Sequence, residues 1–188
     1  MFTVKKVALA ITTCSVMALA APSMAGTLVF TGAVTSSTCN VQAVSSAGAV
    51  TPEINLGTLA PGASPTPPEP VAFSLAPDGT STCDSAKADI TWTSANLIQT
   101  GLANTGTATG VHIALVPKAT GNPIDSISST IHANDIIRGG VNTVKYVAAD
   151  TNKLTGSFDY TAQLVPDAGA TPTAGSVAST VTYTVAYY

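Results

Sequence analysis

Two segments with strand period stand near the ends of this chain, and neither has a hairpin partner beside it. Toward the N-terminus, Leu28, Phe30, Gly32 and Val34 fall on one parity; at the C-terminus Val181, Tyr183, Val185 and Tyr187 fall on one face, with Thr182, Thr184, Ala186 and Tyr188 on the other. Side chains two apart share a face of a strand, so each segment has an apolar face to bury. A strand with no neighbour in sequence must pair with a distant part of its own chain or with another chain. A hydrophobic edge left open is an aggregation liability, so one of these solutions is obligatory.

The first 25 residues have the form of an export signal. Lys5 and Lys6 precede an apolar stretch from Val7 to Ala21, and Ser23 and Ala25 place small residues at the minus-three and minus-one positions for cleavage after Ala25. Thr12, Thr13 and Ser15 break the stretch and no stop-transfer pattern follows, which argues against a permanent anchor. Cys14 is a poor lipoprotein match because Thr13 precedes it and the apolar stretch continues beyond it.

Cleavage would leave 163 residues, enough for one domain with one core. Without Lys5 and Lys6, five basic residues face ten acidic ones, a net charge of about −5. No basic patch is available for a phosphate backbone, so nucleic acid is not an expected partner. Cys39 and Cys83 remain as a pair in an oxidising compartment, where the default is one disulfide. In the chain-entropy account, a loop of this length gives roughly 4 kcal/mol. The competing reading is a metal site, but zinc would want two further ligands, and neither His112 nor His132 has ligand spacing to a cysteine.

Composition and periodicity predict an all-β fold of the sandwich type. No stretch of the mature sequence keeps an apolar stripe at helical spacing for three turns, while Gly, Pro, Ser and Thr punctuate short alternating runs. Besides the segment from Gly26 to Val34, strands are predicted from Cys39 to Val44, Ile54 to Leu59, Val71 to Leu75 and Ala88 to Leu97. Four more are predicted from Val111 to Pro117, Thr143 to Ala148, Gly156 to Leu164 and Ser176 to Tyr187. Asn104 to Gly110 and Lys118 to Pro123 read as tight hairpin connections, and Pro77-Asp78-Gly79 as a turn. Trp92, Phe73, Phe158 and Tyr160 are expected in the core, His112 near solvent at a strand start, and His132 in a loop.

No catalytic constellation emerges. The aspartates are scattered, no serine lies in a nucleophile-elbow pattern, and Asn134-Asp135 belongs to no calcium-loop motif, so neither an enzyme nor a cofactor is expected. The N-terminal segment leaves two readings open. In a self-contained domain Gly32 would weaken a first strand; in a strand donated to another subunit it would let the backbone pass closely over a bulky neighbour while Leu28, Phe30 and Val34 fill pockets.

Taken together, several motifs resemble the subunits of chaperone-usher pili, in particular the major shaft pilins of type 1-like fimbriae of Gram-negative bacteria. They are Gly32 and Val34 ahead of Cys39-Asn40, then Asn55-Leu56-Gly57, Cys83, and Asp89-Ile90-Thr91-Trp92. Gly121-Asn122-Pro123-Ile124, Phe158 with Tyr160 and Ala162, and Ala174-Gly175 before a terminal strand with Tyr187 penultimate complete the set. The resemblance implies an incomplete immunoglobulin-like Greek-key sandwich lacking its last strand and completed by a donated one. Residues 26–38 would be the donor extension and 39–188 the pilin domain. It further implies Leu28, Phe30, Gly32 and Val34 as donor residues and Cys39 with Cys83 as the disulfide. Gly175, Val181, Tyr183, Val185, Tyr187 and Tyr188 would form the C-terminal strand and chaperone-recognition motif. The implied partners are neighbouring copies in a helical homopolymer, a periplasmic chaperone, an outer-membrane usher, and tip or adaptor subunits. The implied route runs through the periplasm to the cell surface, where the fibre serves adhesion. The stretches Ser64 to Pro70 and Pro166 to Gly175 are longer than such a subunit needs. A minor or adaptor pilin and a self-contained secreted ligand-binding sandwich are the alternatives.

Overall fold

The computed structural model describes residues 24–34, 39–62, 65–79, 84–149, 153–154 and 156–188. Among them are eleven strands and no helix. They are β1 (Met24–Val34), β2 (Val41–Ser45), β3 (Glu53–Leu59), β4 (Val71–Pro77), β5 (Lys87–Thr93), β6 (Leu97–Ile98), β7 (Gly101–Ala103), β8 (Val111–Pro117), β9 (Thr143–Val147), β10 (Phe158–Pro166) and β11 (Val177–Tyr187). One sheet has the order β3-β1-β11-β5-β9 and the other β2-β4-β10-β8-β7-β6. The fold is therefore all-β, with two sheets in a sandwich-like arrangement.

Alternation explains how the sheets close on each other. Along β5, Ala88, Ile90 and Trp92 are buried while Lys87 and Thr93 are exposed; along β10, Phe158, Tyr160, Ala162 and Leu164 are buried on one parity. Rings from the two inner faces meet in the gap. Trp92 of β5 lies 4.9 Å from Tyr160 of β10, Tyr146 of β9 lies 4.8 Å from Phe158 of β10, and Phe30 of β1 lies 4.6 Å from Phe73 of β4. Offset and edge-on contacts of this kind add to the stabilisation that burial alone provides. Burial pushes the Tyr160 and Tyr146 phenols well above their ordinary pKa, as expected for hydroxyls at the centre of a low-dielectric core.

Three sequence expectations need correction. The strand predicted from Ala88 to Leu97 ends at Thr93, because Ser94 Oγ donates to Thr180 O at 2.6 Å and turns the chain into a short β6–β7 hairpin. His112 is buried at 6 % exposure, not turned to solvent, and its Nδ1 lies 2.6 Å from Asp167 Oδ1, a partner that meets the cost of taking the imidazole out of water. Lys118 to Pro123 is no tight hairpin; it opens a connection spanning residues 118–142, which reaches β9 only after a long excursion. The Asn104 to Gly110 connection does join an antiparallel pair, β7 and β8, with the Asn104 side-chain amide donating to Ala108 O at 2.7 Å.

Candidate functional site

The site is the slot that β1 occupies. β1 sits inside its sheet, parallel to β11 on one side and antiparallel to β3 on the other. Nine residue pairs from Gly26↔Val177 to Val34↔Val185 hold the parallel ladder in unbroken register. It is the one parallel pairing among the named strands of the described residues. Past the end of β3 the antiparallel side is extended by Phe30 N–H donating to Pro52 O at 2.8 Å. On the outer face, the Thr31 and Thr182 hydroxyls are 2.9 Å apart, an across-strand pair that favours this register.

On the inner face, Gly26, Leu28 and Phe30 point into the gap. Leu28 is fully buried and Phe30 is 5 % exposed. Phe30 joins an aromatic cluster with Phe73 at 4.6 Å and Trp92 at 5.7 Å, and Trp92 lies 5.7 Å from Tyr183 of β11. Gly26 is a close-approach point of the slot: a Cβ there would lie 2.6 Å from Leu164 Cδ2 of the opposite sheet, inside van der Waals contact. The close-approach role expected for Gly32 concerns surroundings that lie outside the described side chains. Gly32 and Val34 take their places through backbone register, opposite Tyr183 and Val185.

The Asn55-Leu56-Gly57 motif has a physical job at this slot. Gly26 pairs with Gly57 and Thr27 with Asn55, so Leu56 is the extra residue of a β-bulge, and Gly57 takes φ +75 while its N–H donates to Asn55 Oδ1 at 2.9 Å. The bulge shifts parity, which lets Ile54, Leu56 and Leu59 all turn inward.

The other wall is β11. Val181, Tyr183 and Val185 are buried, and the Tyr183 hydroxyl donates to Val41 O at 3.2 Å, tying β11 to the opposite sheet. Burial raises the Tyr183 phenol, and burial with the neighbouring Tyr183 pushes Tyr187 up to about 12. Tyr188 is 59 % exposed, and its backbone exchanges hydrogen bonds with Lys87 at 3.0 and 3.1 Å. Its hydroxyl donates to Asp89 Oδ1 at 2.8 Å, and that bond is the main cause of a phenol raised to about 12. Gly175 serves packing before β11: a Cβ there would lie 2.4 Å from Ala108 N. Cys39 is buried and disulfide-bonded; Cys83, the partner expected from the sequence, lies outside the described residues.

Among the described residues no group of three or more His, Cys, Asp or Glu could hold a metal ion. Sequence reasoning missed Gly26, the bulge at Leu56 and the His112–Asp167 pair. Of these, only the bulge had a readable signal, an Asn-x-Gly inside a strand pattern. Compared with family models and with curated protein sequences, the chain matches none.

Proposed function

We propose that this chain is a structural subunit of a surface fibre, polymerising by strand exchange as the chaperone-usher fimbriae it resembles do, with a shaft role preferred over a minor or adaptor one. The observation that carries the reading is the seat of β1. A strand near one end of the sequence lies in the interior of a sheet, where it joins β3 to β11 and seals the core with Leu28 and Phe30. Such a segment is separable. Withdrawing it would part the sheet between β3 and β11 and uncover the Phe73 and Trp92 rings, and an equivalent strand from a second copy would repair both defects. Burying Leu28 and Phe30 supplies about 3 to 6 kcal/mol of transfer free energy before ordering costs. In this reading the sandwich is an immunoglobulin-like one that lacks a last strand of its own. Residues 26–38 are the donor extension, and a periplasmic chaperone holds the slot until an outer-membrane usher delivers the next subunit. Tyr187 and Tyr188 belong to the surface that the chaperone reads. In this reading residues 1–25 direct export into the periplasm, the usher carries the subunit on to the cell surface, and the role involves no bond chemistry.

A second reading, a self-contained secreted sandwich, is favoured by the same seat of β1, since the strand completes its own sheet. Both readings expect a chain lacking residues 26–34 to bind the corresponding peptide, so that experiment alone does not separate them. Concentration does. Incubated at rising concentration, the chain from Gly26 onward should form oligomers that survive detergent without heating and that shorten when excess peptide of residues 26–34 is added. A chain that stays monomeric at every concentration and incorporates no labelled peptide would sink strand exchange and leave the self-contained sandwich.

A further inference from the structure

The long connection between β8 and β9 holds no named strand, only the isolated bridges Ile124↔Tyr146 and Arg138↔Val141. Excursions longer than about 12–15 residues without their own secondary structure are uncommon in compact domains and usually carry function. This one is rigidly built. Ile131 and Ile137 are fully buried anchors. Where β7 stops pairing with β8 at Ile113, the loop takes over: Ile137 N–H donates to Leu115 O at 2.9 Å and Asn134 N–H to Pro117 O at 2.9 Å. Asn134 adopts φ +73, a left-handed conformation unusual for a side chain other than glycine, and Asp135 Oδ2 accepts from His132 N–H at 2.8 Å.

These anchors frame a depression of about 340 Å³ lined by Thr130, Asn134, Asp135, Ile136, Arg138 and Val141. Its cation is paired differently from those elsewhere in the molecule. Lys87, Lys145 and Lys153 each stand by an aspartate, at 3.8, 3.8 and 2.6 Å. Among the described residues, Lys118 and Arg138 alone of the cations have no carboxylate within 4 Å, Arg138 in the wall of the depression and Lys118 beside it. Arg138, the chain's single arginine, forms part of the wall, and Lys118 Nζ donates to the wall residue Asn134 at Oδ1, 2.7 Å away. The wall carries one carboxylate, Asp135, and one guanidinium, Arg138, yet the two form no ion pair, which leaves the guanidinium fork open to an anion. A guanidinium fork matches a carboxylate in particular.

We propose that this depression binds a monosaccharide bearing one carboxylate, of the uronic or sialic acid class. The volume lies at the small end of small-molecule sites, the size of one sugar ring. Arg138 takes the carboxylate. Asp135, Asn134 and Thr130 offer acceptors and donors for ring hydroxyls, and Ile136 and Val141 offer apolar surface to the C–H face. A phosphate would bring its second charge against Asp135, and an acidic peptide side chain would leave the hydroxyl-binding groups unused. The site is independent of the β1 slot and of the polymerisation reading.

The test is an amide NMR titration of the purified full chain with glucuronate and with N-acetylneuraminate, using glucose and acetate as controls. Saturable shifts at Thr130, Asn134 and Arg138 are expected with the acidic sugars, and glucose and acetate should bind at least tenfold more weakly. Arg138→Gln, an exposed substitution whose folding the same spectrum verifies, should weaken acidic-sugar binding about tenfold or more. Arg138→Lys should restore part of it. No saturable shift with either acid, acetate binding as well as the sugars, or full binding by Arg138→Gln would each overturn the proposal.

Discussion

Phe30→Ala tests whether β1 completes the core of its own chain. Phe30 is 5 % exposed, with ring centroids 4.6 Å from Phe73 and 5.7 Å from Trp92, so truncation removes a fully desolvated ring from the middle of an aromatic cluster. Phe→Ala changes at such sites cost about 3–5 kcal/mol, because the lost transfer free energy is joined by a cavity that neighbours fill only in part. That is a large share of the roughly 5–15 kcal/mol available to a typical domain. Val29, the next residue along, is only partly buried on the opposite parity, and Val29→Ala should cost about 1 kcal/mol or less. Guanidinium unfolding with the disulfide intact reads both variants. Trp92, the only tryptophan, is the reporter, and its edge contact with Phe30 predicts an altered native emission in the Phe30 variant. Equal costs for the two variants, or less than about 1 kcal/mol for Phe30→Ala, would show that β1 does not turn Leu28 and Phe30 into the core.

At the pinch point, Gly26→Val should destabilise the chain by about 1–3 kcal/mol, and Leu164→Ala should recover part of that loss; a double-mutant cycle showing no coupling would refute the close approach. Asp125 is held at about 2 by the Ser128 hydroxyl first, then by the Ile127 and Ser128 amides, with Lys87 adding a smaller pull against burial. Its folded value is depressed, so its stabilisation is fully present above the ordinary 3.8 and is lost as pH falls toward 2. NMR titration of the Ser128→Ala variant should return the carboxyl toward 3.8, and an unmoved value would assign the shift elsewhere. Burial alone would raise Asp159, but the hydroxyls of Ser157, Thr120 and Ser74 win and lower it. Replacing Ser157 by Ala should therefore raise its titration midpoint. The Tyr187 hydroxyl is buried without a hydrogen-bond partner, so Tyr187→Phe should leave stability unchanged or raise it by about 1 kcal/mol; a loss of that size would reveal a bond to the hydroxyl.

Period-two alternation was legible wherever a strand buries one face and exposes the other. That condition holds for β5, β10 and β11, and their inward residues Trp92, Tyr160 and Val185 are identifiable from spacing alone. It fails where the code is not periodic. The β6–β7 hairpin has strands of two and three residues around Gln99-Thr100, with none of the Asn-Gly or Asp-Gly signals of a tight turn, so nothing local announces it. His112 was misplaced because its burial depends on Asp167, 55 positions away, and no local pattern encodes such a partner. The slot divides the same way. The inward parity of Leu28 and Phe30 is written in the sequence, whereas the direction of insertion is not, since a strand's alternation reads alike from either end. Direction here rests on contacts made at a distance, the Thr31–Thr182 pair outside and the fit of Gly26 beneath Leu164 inside. An apolar face alone would accept β1, or a copy of it from another chain, in more than one way. Those two contacts are what any strand replacing β1 would have to match, so the slot selects less by total hydrophobicity than by where the glycine falls.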